Sequence, residues 1–142
     1  MAFQLLSGTE TFRDVPTAAT TTITKDELLY WAANDGAKPC DGSNETVENL
    51  VGVAQEAVTT TGTASTVRVM LLRDDQLWKV DTTNDMAATM LWENHLMTDG
   101  GNINNNATED TSTNAVVKIL ETLGATTDKK AVARINYVGN SA

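Results

Sequence analysis

Apolar and polar positions alternate most regularly between Ser65 and Asp81, which reads STVRVMLL, then RDDQ, then LWKVD. Val67, Val69 and Leu71 share one phase, and after the polar break Trp78 and Val80 take it up again. A period of two buries one face of a strand and wets the other, so this segment predicts two strands joined as a β-hairpin. The same reading places strands at Thr21–Lys25, Leu28–Ala32, Leu50–Val58, Thr66–Leu72, Leu77–Asp81, Leu91–Met97, Ala115–Leu120 and Ala131–Val138. Turn-forming residues separate them: Asn34-Asp35-Gly36, Asp41-Gly42-Ser43-Asn44, Thr61-Gly62, Asp99-Gly100-Gly101 and Gly124. Short strands punctuated in this way predict a mainly β protein, a small β-barrel or sandwich with long polar loops.

Two segments carry a helical signal that competes with the strand, and a third reads as a helix. Thr24-x-x-Glu27 forms a capping box ahead of Leu28-Leu29-Tyr30-Trp31, which admits a helix over Lys25–Asn34 as well as the strand. In Ala115–Leu123, Val116, Ile119, Leu120 and Leu123 share a helical face and Gly124 fits a C-cap, whereas the β-branched cluster Val116-Val117-x-Ile119 favours a strand. Asp85–Leu91 predicts a short helix capped by Asn84 or Asp85. Residues 1–20 are poor in aliphatics after Leu6 and contain Pro16. They read as an extended N-terminal arm with apolar anchors at Phe3, Leu5, Leu6 and Phe12, preceding a single β-barrel-like domain over 21–142.

Composition sharpens this picture. The chain has 142 residues, enough for one domain with a real core, and 23 of them are threonine, several in runs (Thr20–Thr22, Thr59–Thr61, Thr82–Thr83). Threonine is stiff at its branched β-carbon and suits pleated, half-exposed surfaces. A net charge of −9 disfavours nucleic-acid backbones and anionic membranes, so neither is an expected partner. Cys40 is alone, which excludes an intrachain disulfide and a cysteine-based zinc site. The N-terminal residues lack a basic, then apolar, signal-peptide pattern, and no run is long enough for a membrane-spanning helix; a reducing cytoplasm is the expected site of assembly.

Candidate chemistry is thin. His95, in Trp92-Glu93-Asn94-His95-Leu96, has no nucleophile motif near it and reads as a partly exposed strand histidine; Cys40 reads as a bystander thiol in a turn. Asp81-x-x-Asn84-Asp85 fails the calcium-loop template, with Met86 where glycine is required, and Asp99-Gly-Gly-Asn102-x-Asn104 offers a single carboxylate. No Gly-x-Ser-x-Gly elbow or phosphate-binding glycine loop occurs, and the sequons at Asn44 and Asn106 have no mechanism without secretion. No catalytic residue, metal site or cofactor is therefore expected, and the chain is not read as an enzyme. Of the three tryptophans, Trp78 is in phase with the core, while Trp31 and Trp92 are candidates for a subunit interface or for stacking on a sugar.

The order of motifs carries a resemblance. Ile23-x-x-Asp26-x-Leu28-Leu29-Tyr30 leads to Lys38-Pro39-Cys40, then Leu50-Val51-Gly52-Val53-Ala54 and Val67-Arg68-Val69. Leu77-Trp78-x-Val80-Asp81, Leu96-x-Thr98-Asp99-x-x-Asn102, Val116-Val117-Lys118-Ile119-Leu120 and Ala131-x-Ala133-Arg134-Ile135 follow. Over residues 20–138 this resembles the small β-barrel decoration, or cement, proteins of tailed-bacteriophage heads; Lys25-Asp26-Glu27 departs from the glycine that often opens the corresponding strand, and Gly52 fits a sharp strand bend. The resemblance implies a structural virion protein on the capsid surface, bound to a major capsid protein and assembled as a homotrimer. The expected docking element is the arm, through Phe3, Leu5, Leu6 and Phe12, with a folded body remaining if it is deleted. Two alternatives stand beside it: a phage tail-tube or other tail subunit, and a soluble carbohydrate- or ligand-binding module using Trp31 and Trp92.

Overall fold

The computed structural model describes residues 2–106 and 108–136. Thirteen strands are present among them. The first seven are β1 (Gln4–Ser7), β2 (Phe12–Pro16), β3 (Thr20–Ile23), β4 (Leu28–Ala32), β5 (Gly36–Pro39), β6 (Leu50–Ala54) and β7 (Val58–Thr61). They are followed by β8 (Thr66–Leu71), β9 (Leu77–Thr82), β10 (Asn94–Asp99), β11 (Asn102–Asn104), β12 (Val117–Thr122) and β13 (Lys130–Ile135). The fold is mainly β, as the alternation predicts.

Strands β9, β11, β10, β12 and β13 pair in that order, and β13 pairs again with β9, which closes a five-stranded barrel. Strand β13 lines one edge of β9 from Trp78 to Asp81. Along the opposite edge β1 pairs at Leu77–Lys79 and β11, in parallel, at Asp81 and Thr82. A second sheet runs β2-β8-β6-β4-β5, and β3 with β7 forms a separate antiparallel ribbon.

Strands β8 and β9 exist where the alternation places them, but they do not form a hairpin. Strand β8 pairs with β2 and β6 in the second sheet, whereas β9 belongs to the barrel. The chain crosses between sheets at Leu72–Gln76, beside the crossing from β1 to β2, which runs the opposite way. The buried Gln76 carboxamide holds the two crossings together: it accepts from Arg73 N–H and donates to the carbonyls of Leu71 and Thr9. Gly8, at φ 120°, lies so close that a Cβ there would sit 2.6 Å from the Asp75 carbonyl oxygen. Side-chain period specifies which face is buried and leaves the pairing partner open, so a four-residue polar break reads as a hairpin turn in either case.

The second sheet is buried on both faces. Leu28, Tyr30, Val53 and Met70 join Trp78, Val80, Met97, Ile103, Val117 and Ile119 from the barrel in one core. Their neighbours Leu29, Ala54 and Val69 point the other way, into a smaller core with Ile23, Ala37 and Val67 that the β3–β7 ribbon helps to cover. The threonine runs pair with each other in that ribbon: Thr20 with Thr61, Thr21 with Thr60 and Thr22 with Thr59. Buried Thr60 accepts from Thr21 N–H and donates to the Ala18 carbonyl, so a polar residue closes this edge of the core with its hydrogen bonds satisfied.

Both ambiguous segments are strands, β4 and β12. At β4 the capping-box contact still forms, with Thr24 N–H donating to the Glu27 carboxylate at 2.6 Å, but Asp26 takes φ 71° and turns the chain into the sheet. The helix expected over Asp85–Leu91 shrinks to a 3₁₀ turn, Ala88–Met90, preceded by Ala87 rather than by a capping side chain. Leu50–Val58 divides into β6 and β7, and at Gly52 a Cβ would meet the Met70 carbonyl, so this glycine permits close approach of β8. Residues 137 and 138 of the last expected strand lie outside the described residues.

The N-terminal segment is extended, and both of its halves are strands of the body rather than a projecting arm. Strand β1 continues the barrel edge and β2 flanks β8 over five residue pairs. Phe3 N–H donates to the Asp26 carbonyl, and the Phe3 ring, 1% exposed, stands edge-on to Trp78 with centroids 6.2 Å apart.

Candidate interaction surface

The residues singled out for chemistry are structural in their contacts. His95 is fully buried rather than partly exposed: β10 turns it inward at 1% exposure. Its Nε2 lies 3.0 Å from the Met90 carbonyl and its Nδ1 accepts from Asn106 N–H at 3.4 Å, so both ring nitrogens are occupied in tying the 3₁₀ turn and the β11 exit to the barrel. Cys40 is buried in the main core, where loss of solvent pushes its thiol pKa well up, with Glu45 and Asp41 adding to the shift. A thiol held protonated is a poor nucleophile.

The acidic loops are also internally engaged. The buried Glu45 carboxylate accepts from Asp41 N–H (3.0 Å) and Gly42 N–H (2.7 Å), and burial raises its pKa despite those bonds. Burial acts on Asp41 in the same sense, but hydrogen bonds from Ser43 and Asn44 outweigh it and bring that carboxyl to about 2. Asp99 accepts from Gly101 N–H and the Asn102 amide, closing the β10–β11 turn. Asp81 pairs with Lys130 at 2.7 Å. Glu27, Asp81, Asp99 and Lys25 line an open depression of about 490 Å³, where burial first and then the Asp99 charge raise the Glu27 pKa. Among the described residues no three His, Cys, Asp or Glu side chains converge as metal ligands.

The large apolar side chains at the surface are therefore the prominent feature. Of the four expected anchors, Phe3 belongs to the core and Leu5, opposite Trp78 on β9, is half-buried against it. Leu6 and Phe12 are exposed, and Phe12 carries the Arg68 guanidinium 5.2 Å above its ring. The free edge of β2 is guarded by the charges of Arg13 and Asp14 and by Pro16, which suit an unpaired edge strand. Trp78 is buried, as its phase predicts.

Trp31 and Trp92 are both exposed, the first on β4 of the second sheet and the second in the turn that precedes β10 of the barrel. Trp31, 40% exposed on β4, borders two shallow depressions, one of about 380 Å³ with Glu48, Asn49, Val51 and Leu71, the other of about 460 Å³ with Tyr30, Asn44 and Asn49. Trp92, 67% exposed, follows the 3₁₀ turn at the entry to β10 and adopts φ 65°. Its N–H donates to the Ile119 carbonyl at 2.6 Å, and Ile119 N–H donates to the Glu93 carbonyl, so β12 holds the chain in this conformation. Nothing in the residue type announces it, because left-handed backbone is ordinarily signalled by glycine or asparagine.

No protein-family model matches the chain, and no curated protein matches it by sequence. Among solved structures, the fold is similar to the N base of the head fibre protein gp8.5 of bacteriophage phi29. That likeness has a TM-score of 0.52 at 16% identity and covers 88% of this chain and 94% of the other.

Proposed function

We propose that the protein is a structural component of a phage virion that binds the outer surface of the head and stabilises the capsid, as decoration proteins do. The observation that carries this reading is the likeness of its fold, over 88% of the chain, to the N base of a phage head fibre. The surface supports it: a β body of net charge −9 presents Leu6, Phe12, Trp31 and Trp92 as isolated apolar anchors. In this reading the partner is the major capsid protein, the protein itself is a homotrimer, and Trp31 and Trp92 contact either the capsid or neighbouring subunits. No catalysis, cofactor, nucleic acid or membrane takes part. Weak contacts repeated over a trimer give tight attachment through avidity.

Co-sedimentation tests the proposal. Purified protein mixed with heads that lack it should pellet with them, saturate, and raise the temperature at which the heads rupture. Protein that stays in the supernatant and leaves the rupture temperature unchanged contradicts it. A tail-tube role predicts instead that the protein polymerises into rings or tubes.

One observation favours a second reading, a saccharide-binding module: Trp31 stands between two open depressions bordered by Asn44 and Asn49. Quenching of tryptophan fluorescence by a sugar, lost in Trp31→Ala, would support that reading over the first.

A further inference from the structure

We infer that Trp92 and Glu93 form a two-point docking site for a partner surface that offers an apolar pocket beside a cation, and that this surface belongs to the capsid rather than to a second copy of the chain. The inference rests on the head-protein reading above and assigns it a contact.

A bulky side chain at φ 65° is unfavourable because its Cβ crowds the following carbonyl, whereas glycine or asparagine adopts this conformation readily. Leu91 packs against the core just before it, and the left-handed step at Trp92 leaves the indole 67% exposed, more than any other large apolar side chain described. Folding gains little from a tryptophan in that position. Strain held at an exposed aromatic points to a role outside the fold.

Glu93 supplies the second point. Its carboxylate is partly buried, and Oε2 has no hydrogen-bond partner and no contact with solvent. Oε2 is thus already desolvated and unpaired in the free chain, and turning the partly exposed side chain outward onto a partner's donor satisfies it; an arginine or lysine does so most effectively.

The surrounding charge selects the partner. Glu109 accepts from Asn94 N–H and Asp110 N–H donates to the Asn94 carbonyl, which places two further acidic residues beside the entry to β10; Lys118 is paired opposite Asn94. A second copy presenting this same face would set acidic residues against acidic residues, and its remaining surface shares the chain's net charge of −9, whereas a basic-rimmed pocket is complementary.

The test uses the full chain and heads that lack the protein. Wild type, Trp92→Gly, Trp92→Asn and Glu93→Gln are compared for thermal melting, oligomeric state and co-sedimentation at low and high salt. Trp92→Gly and Trp92→Asn should melt at or above the wild-type temperature, keep the wild-type oligomeric state and bind heads about 30-fold more weakly, the loss expected of a central aromatic anchor. Glu93→Gln should bind more weakly at low salt and lose much of the wild-type salt dependence. Wild-type binding by both folded Trp92 variants overturns the inference, as does dispersal of the oligomer, which would make Trp92 a self-contact. Failure of the wild type itself to bind heads overturns the head-protein reading and this inference together.

Discussion

Individual side chains in this protein divide sharply between those that hold the fold and those left over at its surface. His95 and Cys40 belong to the first group, since one spans two segments through its ring nitrogens and the other lies in the main core. His95→Ala should cost about 2–4 kcal/mol of stability, by leaving a cavity and unpaired backbone groups, and Cys40→Ser about 1–3 kcal/mol, by placing a hydroxyl in apolar surroundings. Folded fractions of both variants should still bind heads. Denaturant melts and co-sedimentation check the two halves of this prediction, and loss of binding by a folded variant would reveal a functional site in the core.

Carboxylates provide the second residue-scale prediction. Burial raises the pKa of Glu27 and Glu45, so on acidification the folded chain takes up these protons before the unfolded chain does, and stability rises toward the ordinary glutamate value of 4.5. Asp41 acts in the opposite sense. Its folded pKa is about 2 against 3.8 unfolded, so the stability it contributes is complete above 3.8 and is lost as pH falls to 2. Thermal melts in dilute solution should therefore show a maximum on the acid side of neutrality, followed by a steep decline below about pH 4. Asp41→Asn should flatten that decline.

At the scale of elements, the alternation located strands better than it paired them. Leu28–Ala32 is a strand with the bounds expected from its pattern; it is paired on both sides, by β6 and β5, in a sheet with a core on each face. Strand β5, Gly-Ala-Lys-Pro, has no alternation to detect; it is held by β4 and by the close approach of Thr17, where a Cβ on Gly36 would lie 2.5 Å from backbone atoms. Strand β11 has only Ile103 between two asparagines. The N-terminal strands were hidden for a related reason. Short apolar groups separated by polar residues read as an arm, and only the long-range pairings with β8 and β9 make them part of the body. Exposed Trp31 and Trp92 were legible as candidate contacts from type and position, whereas the conformation of Trp92 was not, since it is imposed by β12.

This placement changes what a truncation should do. Removing residues 2–14 deletes β1, most of β2 and the Phe3 ring packed on Trp78. Loss of a buried phenylalanine alone costs about 3–5 kcal/mol, a large part of the stability of a typical domain. The truncated chain should be unfolded or molten, with its tryptophan emission shifted to the red. A truncated chain that melts cooperatively at the wild-type temperature would show that the segment is dispensable to the body.

For the whole molecule, closure of the barrel removes the edges of its own five strands, the β2 edge of the second sheet carries Arg13, Asp14 and Pro16, and the net charge of −9 opposes non-specific association. Those properties suit a protein displayed at high density on a particle. The most direct test is electron cryomicroscopy of the intact virion. Density of this fold is expected on the outside of the head, repeated at symmetry-related sites as trimers, with Trp92 turned toward the capsid shell. Density of this fold in the tail tube, or none on the head of a virion that contains the protein, would contradict the head-protein reading.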